Sequence, residues 1–180
     1  MYKRQLKLKA SYGSQGNDNI GNYLYTDTYS IENNNGEIAV LFGQKGNPNI
    51  TWETNTNLNI GTEFGFWNNR LSGSVDFFNR KTSDMLFAFS VPSSLGYSSY
   101  YANVGDMVNR GVELSLSGAV VASKDFLWSV NANVSYNKNK ITELYNGVTE
   151  YEMSSTNTKL VVGHPVGEFY INRFAGVNPA

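Results

Sequence analysis

A hydrophobic repeat with a period of two residues runs along most of this 180-residue chain and constrains its fold more than any other feature. Successive side chains of a β-strand point to opposite faces, so this period places apolar residues on one face and polar residues on the other. No window of helical length carries a clear apolar stripe with a period of 3.6 residues. The sequence therefore predicts an all-β protein built from antiparallel, up-and-down strands.

Four strands have clear boundaries in the sequence, at 57–67, 70–80, 110–121 and 126–137. The first two flank Asn68-Asn69, and Asn suits a tight hairpin turn because it tolerates positive φ. The other two flank a turn at 123–125. Weaker patterns predict an opening strand at 6–12 and a last one at 166–174, which gives about six strands.

The connections between these strands alternate in length. Two of them are turns of two to four residues, whereas 13–50, 81–108 and 138–165 are each about 25 residues or longer. A membrane-spanning β-strand needs about 9 to 11 tilted residues, and outer-membrane barrels combine short periplasmic turns with long extracellular loops. The pattern therefore favours part of an outer-membrane β-barrel over a soluble sheet.

In such a barrel the apolar face of each strand contacts lipid and the polar face lines a wet lumen. Aromatic residues near the short turns, such as Trp67 and Phe126, match the aromatic girdles of these barrels. The residues predicted to form the lipid-facing wall are Leu58, Ile60, Phe64, Phe66, Leu71, Val75, Phe77, Val112, Leu114, Leu116, Trp128, Val130 and Val134.

The composition excludes several classes of function. The 14 basic and 15 acidic residues nearly balance, so nothing favours a nucleic-acid partner. With no cysteine and a single histidine, His164, we expect no metal site and no cofactor. Glu63, Asp76 and Glu113 fall on the polar face, and we interpret them as solvated wall residues paired with Lys or Arg rather than as a catalytic pair. The sequence therefore predicts no enzyme.

Five blocks of the sequence also resemble the C-terminal barrel of the SusC/RagA-type TonB-dependent outer-membrane transporters. They occur in the family's order and span nearly the whole chain. The blocks are LKLKASYG at 6–13 followed by GN at 16–17, GNPNITWE at 46–53, DFFNRKTSDML at 76–86, NRGVE at 109–113 and VGHPVGEFY at 162–170.

This resemblance implies a 22-stranded barrel with an N-terminal plug, located in a Gram-negative-type outer membrane. It implies import of glycan or peptide fragments, with a SusD-like surface lipoprotein as a lid and energy from the TonB complex. Residues 1–180 are then expected to be a partial barrel domain of about six strands, truncated at both ends and lacking the plug. The expected partners of the full-length parent are outer-membrane lipid, that lipoprotein, the TonB complex and an oligosaccharide or peptide substrate.

Some alternatives stay open at this level. A soluble β-rich module for carbohydrate binding or adhesion would show the same alternation. Tyr97, Tyr100 and Tyr101 in the second long connection are the best candidates for carbohydrate contact, because aromatic faces stack on sugar rings; contact with a lid protein, or packing within the loop, is the other interpretation. Gly111 is expected to allow a bulge or close packing, and Trp52 to pack at the rim.

Overall fold

The computed structural model describes residues 5–17, 21–153 and 156–176. These residues form no α-helix, only two 3₁₀ turns at Ser93–Leu95 and Tyr145–Gly147, and no helix among them could span a membrane. The all-β prediction is confirmed. The strands are β1 (Gln5–Asn17), β2 (Thr28–Asn34), β3 (Glu37–Gln44), β4 (Glu53–Phe66), β5 (Leu71–Ser83), β6 (Leu86–Ser90), β7 (Ser99–Asn103), β8 (Gly105–Ala122), β9 (Leu127–Leu144), β10 (Glu150–Met153), β11 (Thr158–Val161) and β12 (Glu168–Phe169).

The long strands form one antiparallel sheet in the order β1-β4-β5-β8-β9, which we call the wall. Its strands contain 13 to 18 residues and include the opening strand and the four clear strands predicted from the sequence. They extend beyond the predicted ends: β8 begins at Gly105 and β9 continues to Leu144. The alternating pattern ends where both faces of a strand become polar. The strand itself continues, because backbone pairing does not require an apolar face.

The predicted strand at 166–174 does not form in the wall. Only Glu168–Phe169 is extended, and it pairs with β11 in a separate sheet of β10, β11 and β12. Gly163 and Gly167 turn the chain with positive φ of 93° and 83°. The Tyr170 N–H then donates to the Asn157 carbonyl at 2.8 Å. In the described residues no wall strand lies beside this segment, and a strand needs a neighbour for its backbone groups.

The long connections contain regular hairpins that the sequence analysis did not predict. β2 and β3 pair in the first connection, and β6 and β7 pair in the second. The β2–β3 turn uses Asn35 and Gly36, both with positive φ, and the Gly36 N–H donates to Asn33 Oδ1 at 2.7 Å. These hairpins lie at the end of the wall opposite the short turns.

The predicted short turns are present. Asn68 and Asn69 have φ of 57° and 63°, and Trp67 joins them with 51°, which the sequence did not reveal. At the other turn the Phe126 N–H donates to Ser123 Oγ at 3.1 Å. Both wall hairpins are thus closed by local side-chain and backbone chemistry.

The buried apolar residues lie at the hairpin end and not behind the wall. Ile141, Leu144 and Leu160 form a cluster packed against partly buried neighbours that include Tyr151 and Met153. The other buried apolar side chains of the described residues are Leu24, Ala102 and Val104. We call the hairpins together with this core the cap.

Gly111 marks a close approach on the polar face of the wall. It is buried, and a Cβ there would clash with the Phe78 ring and the Tyr136 carbonyl oxygen. The β8–β9 register shifts between Asp106 and Met107 and again between Ala119 and Val121, so no bulge falls at Gly111. Of the two roles expected for this glycine, close packing is the one the structure shows.

Replacing Gly111 by valine is expected to lower the stability of the folded protein by about 1–3 kcal/mol, because the new side chain overpacks the polar face. The measurement is the urea midpoint of unfolding of the full-length protein in detergent. Gly118→Val on the same strand is the matched control, since the nearest atoms to a Cβ there lie 3.8 Å away. Equal midpoints for the two variants would contradict the packing role of Gly111.

Candidate functional site

The register of the wall places all the residues predicted to face lipid on a single face, which we call the apolar face. Ile60 pairs with Phe77, which pairs with Val112 on β8. The next row joins Val75, Leu114 and Val134 in the same way, and Trp128 follows by alternation along β9. None of these predicted residues, all within the described part of the chain, is buried.

The apolar face extends onto β1 and is open. Among the predicted wall residues that are exposed, the exposed fraction runs from 37% for Val75 to 63% for Val134, and Leu8 on β1 reaches 79%. A continuous apolar surface of this kind is unfavourable in water and marks a face that contacts lipid or another apolar partner. The apolar face is therefore suited to bind lipid or another apolar partner.

The opposite, polar face carries a network of ion pairs. Lys9 Nζ lies 2.8 Å from Glu63 Oε1 and 3.3 Å from Asp76 Oδ1, and Lys7 Nζ lies 3.6 Å from Glu63 Oε2. Glu113 faces Asp76 across β5 and β8, and the described residues include no cation paired with it. The predicted pairing with Lys is therefore found for two of the three carboxylates.

This network does not resemble a catalytic or metal centre. Asp76 and Glu63 share Lys9 as a common partner, so the two carboxylates belong to one ion-pair network. In the described ranges no three His, Cys, Asp or Glu side chains come together as a metal site. His164 is exposed, with its Nδ1 2.8 Å from Glu168 Oε2.

All three predicted tyrosines line one groove in the cap. The groove has a volume of about 550 Å³, and its walls come from the β2–β3 and β6–β7 hairpins. The Tyr97 ring lies 6.1 Å from the Phe42 ring, and the Tyr100 ring stacks on Phe89 at 5.8 Å. The remaining lining residues are uncharged: Gly43, Gln44, Ser93, Gly96, Ser98, Ser99 and Tyr101. We call it the tyrosine groove.

Aromatic packing behind the groove holds Tyr100 in place. The Phe89 ring beneath it also contacts Tyr151 edge-on at 5.1 Å and Tyr145 at 6.0 Å. Burial raises the pKa of the Tyr100 phenol, with smaller contributions from the neighbouring tyrosines. Phe42 and Phe89 were not predicted as site residues; their alternation within short apolar runs was the only signal.

An ion pair closes the base of the β2–β3 hairpin, and a backbone bridge joins this hairpin to β6–β7. Lys45 Nζ lies 3.0 Å from Asp27 Oδ2, and Asp27 Oδ1 accepts a hydrogen bond from the Gly46 N–H at 2.8 Å. Lys45 also forms a parallel β-bridge with Tyr100. The bridge connects the two sides of the tyrosine groove, and the ion pair fixes the position of Lys45 within it.

Asn103 is the second link, and the sequence analysis missed it. Its Nδ2 donates to the carbonyls of Thr51 at 3.0 Å and Asp84 at 2.7 Å, and its Oδ1 accepts from the Thr51 N–H at 2.9 Å. Asn47 Nδ2 adds a bond to the Tyr101 carbonyl at 3.0 Å. Trp52 lies against Gly16 of β1, which agrees with the packing role expected for it.

The Asp27–Lys45 pair leads to a pH prediction for the cap. Hydrogen bonds from Gly46 and Lys45 lower the pKa of Asp27, so its stabilising effect is present above the ordinary carboxyl pKa and is lost as pH falls through the lowered value. The pKa of Lys45 is raised by Asp27, so its effect is lost only as pH rises through the raised value. The closure of the β2–β3 hairpin should therefore not vary between about pH 5 and 9.

Asp27→Asn is expected to increase amide hydrogen exchange in 28–44 severalfold across that pH range. Hydrogen exchange with mass spectrometry on the full-length protein measures it. Glu32→Gln, which removes a charge from an exposed position on β2, is the control. An unchanged exchange rate in Asp27→Asn would show that the ion pair does not hold the hairpin.

Comparison with known proteins places these features in a family context. Residues 1–173 match the family described as TonB dependent receptor-like, beta-barrel. A TonB-dependent receptor of Formosa agariphila is 34% identical over 181 residues, covering 96% of this chain and 18% of the relative. The TonB-dependent receptor SusC of Bacteroides thetaiotaomicron is 31% identical over 188 residues, covering 92% of this chain and 18% of the relative.

A solved structure agrees with the sequence comparisons. The structure of the RagAB peptide transporter superposes with a TM-score of 0.81 at 40% identity, covering 89% of this chain and 18% of that one. The chain thus spans about a fifth of the length of the relatives that it matches. These relatives are named as receptors and transporters, not as enzymes.

Proposed function

The chain belongs to the TonB-dependent receptor-like β-barrel family, and on this premise we propose that it forms part of the wall and the extracellular mouth of an outer-membrane nutrient importer. The observation that carries the proposal is the open apolar face of the wall, opposite a face of ion pairs and amides. Lipid on one side and a wet lumen on the other account for both faces.

The dimensions of the wall fit a bilayer. The eleven residues from Trp128 to Lys138 on β9 span about 34 Å of strand, or about 25 Å of height at the tilt usual in barrels. This height equals that of the apolar band of outer-membrane barrels. Trp67, Phe126 and Trp128 then lie at the periplasmic boundary of the band, and the cap lies outside the cell.

The edges of the wall support a larger assembly. In the described residues β1 and β9 each have one neighbour in the sheet, so one side of each strand is open for pairing. Backbone groups in hydrocarbon must all be paired, which only a closed barrel achieves. Further strands of a full-length receptor, beyond this fifth of its relatives' length, would provide that closure.

We place substrate or lid contact at the tyrosine groove, because it lies at the mouth and combines aromatic rings with hydroxyl groups. Such a lining suits the neutral polar surface of an oligosaccharide or of a peptide backbone. By analogy with SusC and RagAB, the full-length protein would work with a SusD-like lipoprotein and with energy from the TonB complex. The substrate is proposed to be a glycan or a peptide.

The alternative function, a soluble carbohydrate-binding or adhesin module, fits the wall less well. A soluble sandwich buries the apolar face of each sheet against a second sheet about 10 Å away. In the part of the chain that the structure describes, no second sheet covers the apolar face, and Leu8, Ile60 and Val134 remain exposed.

Arginine on the apolar face is expected to block assembly. Leu114→Arg and Val130→Arg in the full-length protein should each cost up to about 2–4 kcal/mol, because the cation would face hydrocarbon. The measurement is the amount of heat-modifiable barrel in the outer-membrane fraction. Ser115→Arg is the matched control, since it neighbours Leu114 on β8 but points to the polar face. Equal amounts for Leu114→Arg and Ser115→Arg would reject the lipid-facing assignment.

The groove proposal has a separate test. Tyr97→Ala should raise the half-saturating concentration for uptake by about two- to tenfold, because a stacking ring is lost. Cells producing the full-length protein are supplied with labelled oligosaccharides and labelled peptides, and uptake is measured for each. Tyr97→Phe should behave as the wild type. Tyr25→Ala, an exposed tyrosine outside the groove lining, is the control, and matching losses in both alanine variants would rule out groove contact.

A further inference from the structure

Three cations gather at the cap end of the apolar face. Arg110 on β8 pairs in register with Lys138 on β9, and Lys140 follows two residues later. Together with Val108 and Thr142 they line a shallow groove of about 270 Å³. All three cationic side chains are exposed. We call this the basic groove.

The charge of the basic groove is not neutralised by the chain itself. In the described ranges no carboxylate forms an ion pair with Arg110, Lys138 or Lys140, whereas nearby Lys81 pairs with Asp106 at 2.8 Å. Arg110 Nε donates to Asn79 Oδ1 at 2.9 Å. That bond fixes the guanidinium and leaves its terminal NH₂ groups for another acceptor.

The position of the groove adds a second observation. Arg110 and Lys138 continue the same face as Val112 and Tyr136, one alternation step beyond the apolar rows. The groove is therefore continuous with the apolar face and lies on its cap side. A ligand that spans both regions must carry an anionic head and an apolar tail.

We propose that the basic groove binds the phosphate groups of a phosphorylated glycolipid of the outer leaflet, of the lipid A class, whose acyl chains lie along the apolar face. The inference rests on the proposed function, because it needs that face to contact lipid. A guanidinium can bind phosphate through two parallel hydrogen bonds, and ammonium groups add charge. Basic pockets at the edge of an apolar membrane surface are suited to lipid head groups.

The test uses the full-length protein in detergent and measures lipid binding by native mass spectrometry. The probes are diphosphorylated lipid A, its fully dephosphorylated form, and inorganic phosphate as a competitor. The triple variant R110Q/K138Q/K140Q removes the cations. Lys138→Gln alone is compared with Lys124→Gln, which lies in the turn at the other end of the β8–β9 hairpin.

We expect each removed cation to weaken binding of diphosphorylated lipid A about fivefold, so that the triple variant loses well over tenfold. Lys124→Gln should bind as the wild type. The dephosphorylated lipid should bind weakly and equally to all variants, and millimolar inorganic phosphate should not displace the intact lipid.

The proposal would be overturned if the triple variant bound diphosphorylated lipid A with wild-type affinity, or if the wild type bound the dephosphorylated lipid equally well. Displacement of the lipid by inorganic phosphate would also overturn it, because that result indicates a site for small anions. If the triple variant does not assemble, Lys138→Gln and Lys140→Gln decide in the same way. Normal outer-membrane insertion without phosphate-dependent lipid binding rejects this inference alone, whereas failure of the wild type to insert rejects the proposed function as well.

Discussion

Backbone hydrogen bonding between long antiparallel strands is the constraint on which this molecule depends. Among the described residues no buried apolar core lies behind the wall, so the ladder from β1 through β4, β5 and β8 to β9 is what holds these strands together. Because side chains alternate strictly, one register determines both faces. A slip of one residue would exchange Leu114 for Ser115 and place charge in the apolar face. The apolar face, the ion pairs around Lys9 and the basic groove are all consequences of this register.

The cap depends on different interactions. Its hairpins are joined by side chains that bond to the backbone of another connection, as Asn103 does to Thr51 and Asp84. The buried cluster around Ile141 and Leu144 packs beneath them. The tyrosine groove exists because these contacts bring Phe42 from one hairpin close to Tyr97 from the other. Because the tyrosine groove is assembled from two separate connections, its shape depends on these hydrogen bonds between them.

The wall could be predicted from the sequence because a strand with one apolar face shows a regular alternation of apolar and polar residues. The predicted tyrosines do share one groove, yet its other half could not be predicted, since pairing between hairpins leaves no periodic pattern. Asn35-Gly36 was a recognisable hairpin signal within a segment interpreted only as a connection. The strand expected at 166–174 is not found in the wall because, among the described residues, only Glu168–Phe169 of this segment has a neighbouring strand. Asn103 could not be identified, because a single asparagine gives no indication of three bonds to distant backbone groups.

The separation between wall and cap has an evolutionary consequence. The buried cluster takes Ile141 and Leu144 from the end of β9, whereas the apolar rows lie further along the long strands, so substitutions in the β2–β3 and β6–β7 hairpins leave those rows unchanged. Selection can therefore diversify the hairpins, residue by residue or by exchanging a whole hairpin, while the sequence of the long strands changes slowly. Under the proposed function, lineages that share this scaffold can acquire new substrates by changing the hairpins while the long strands stay the same.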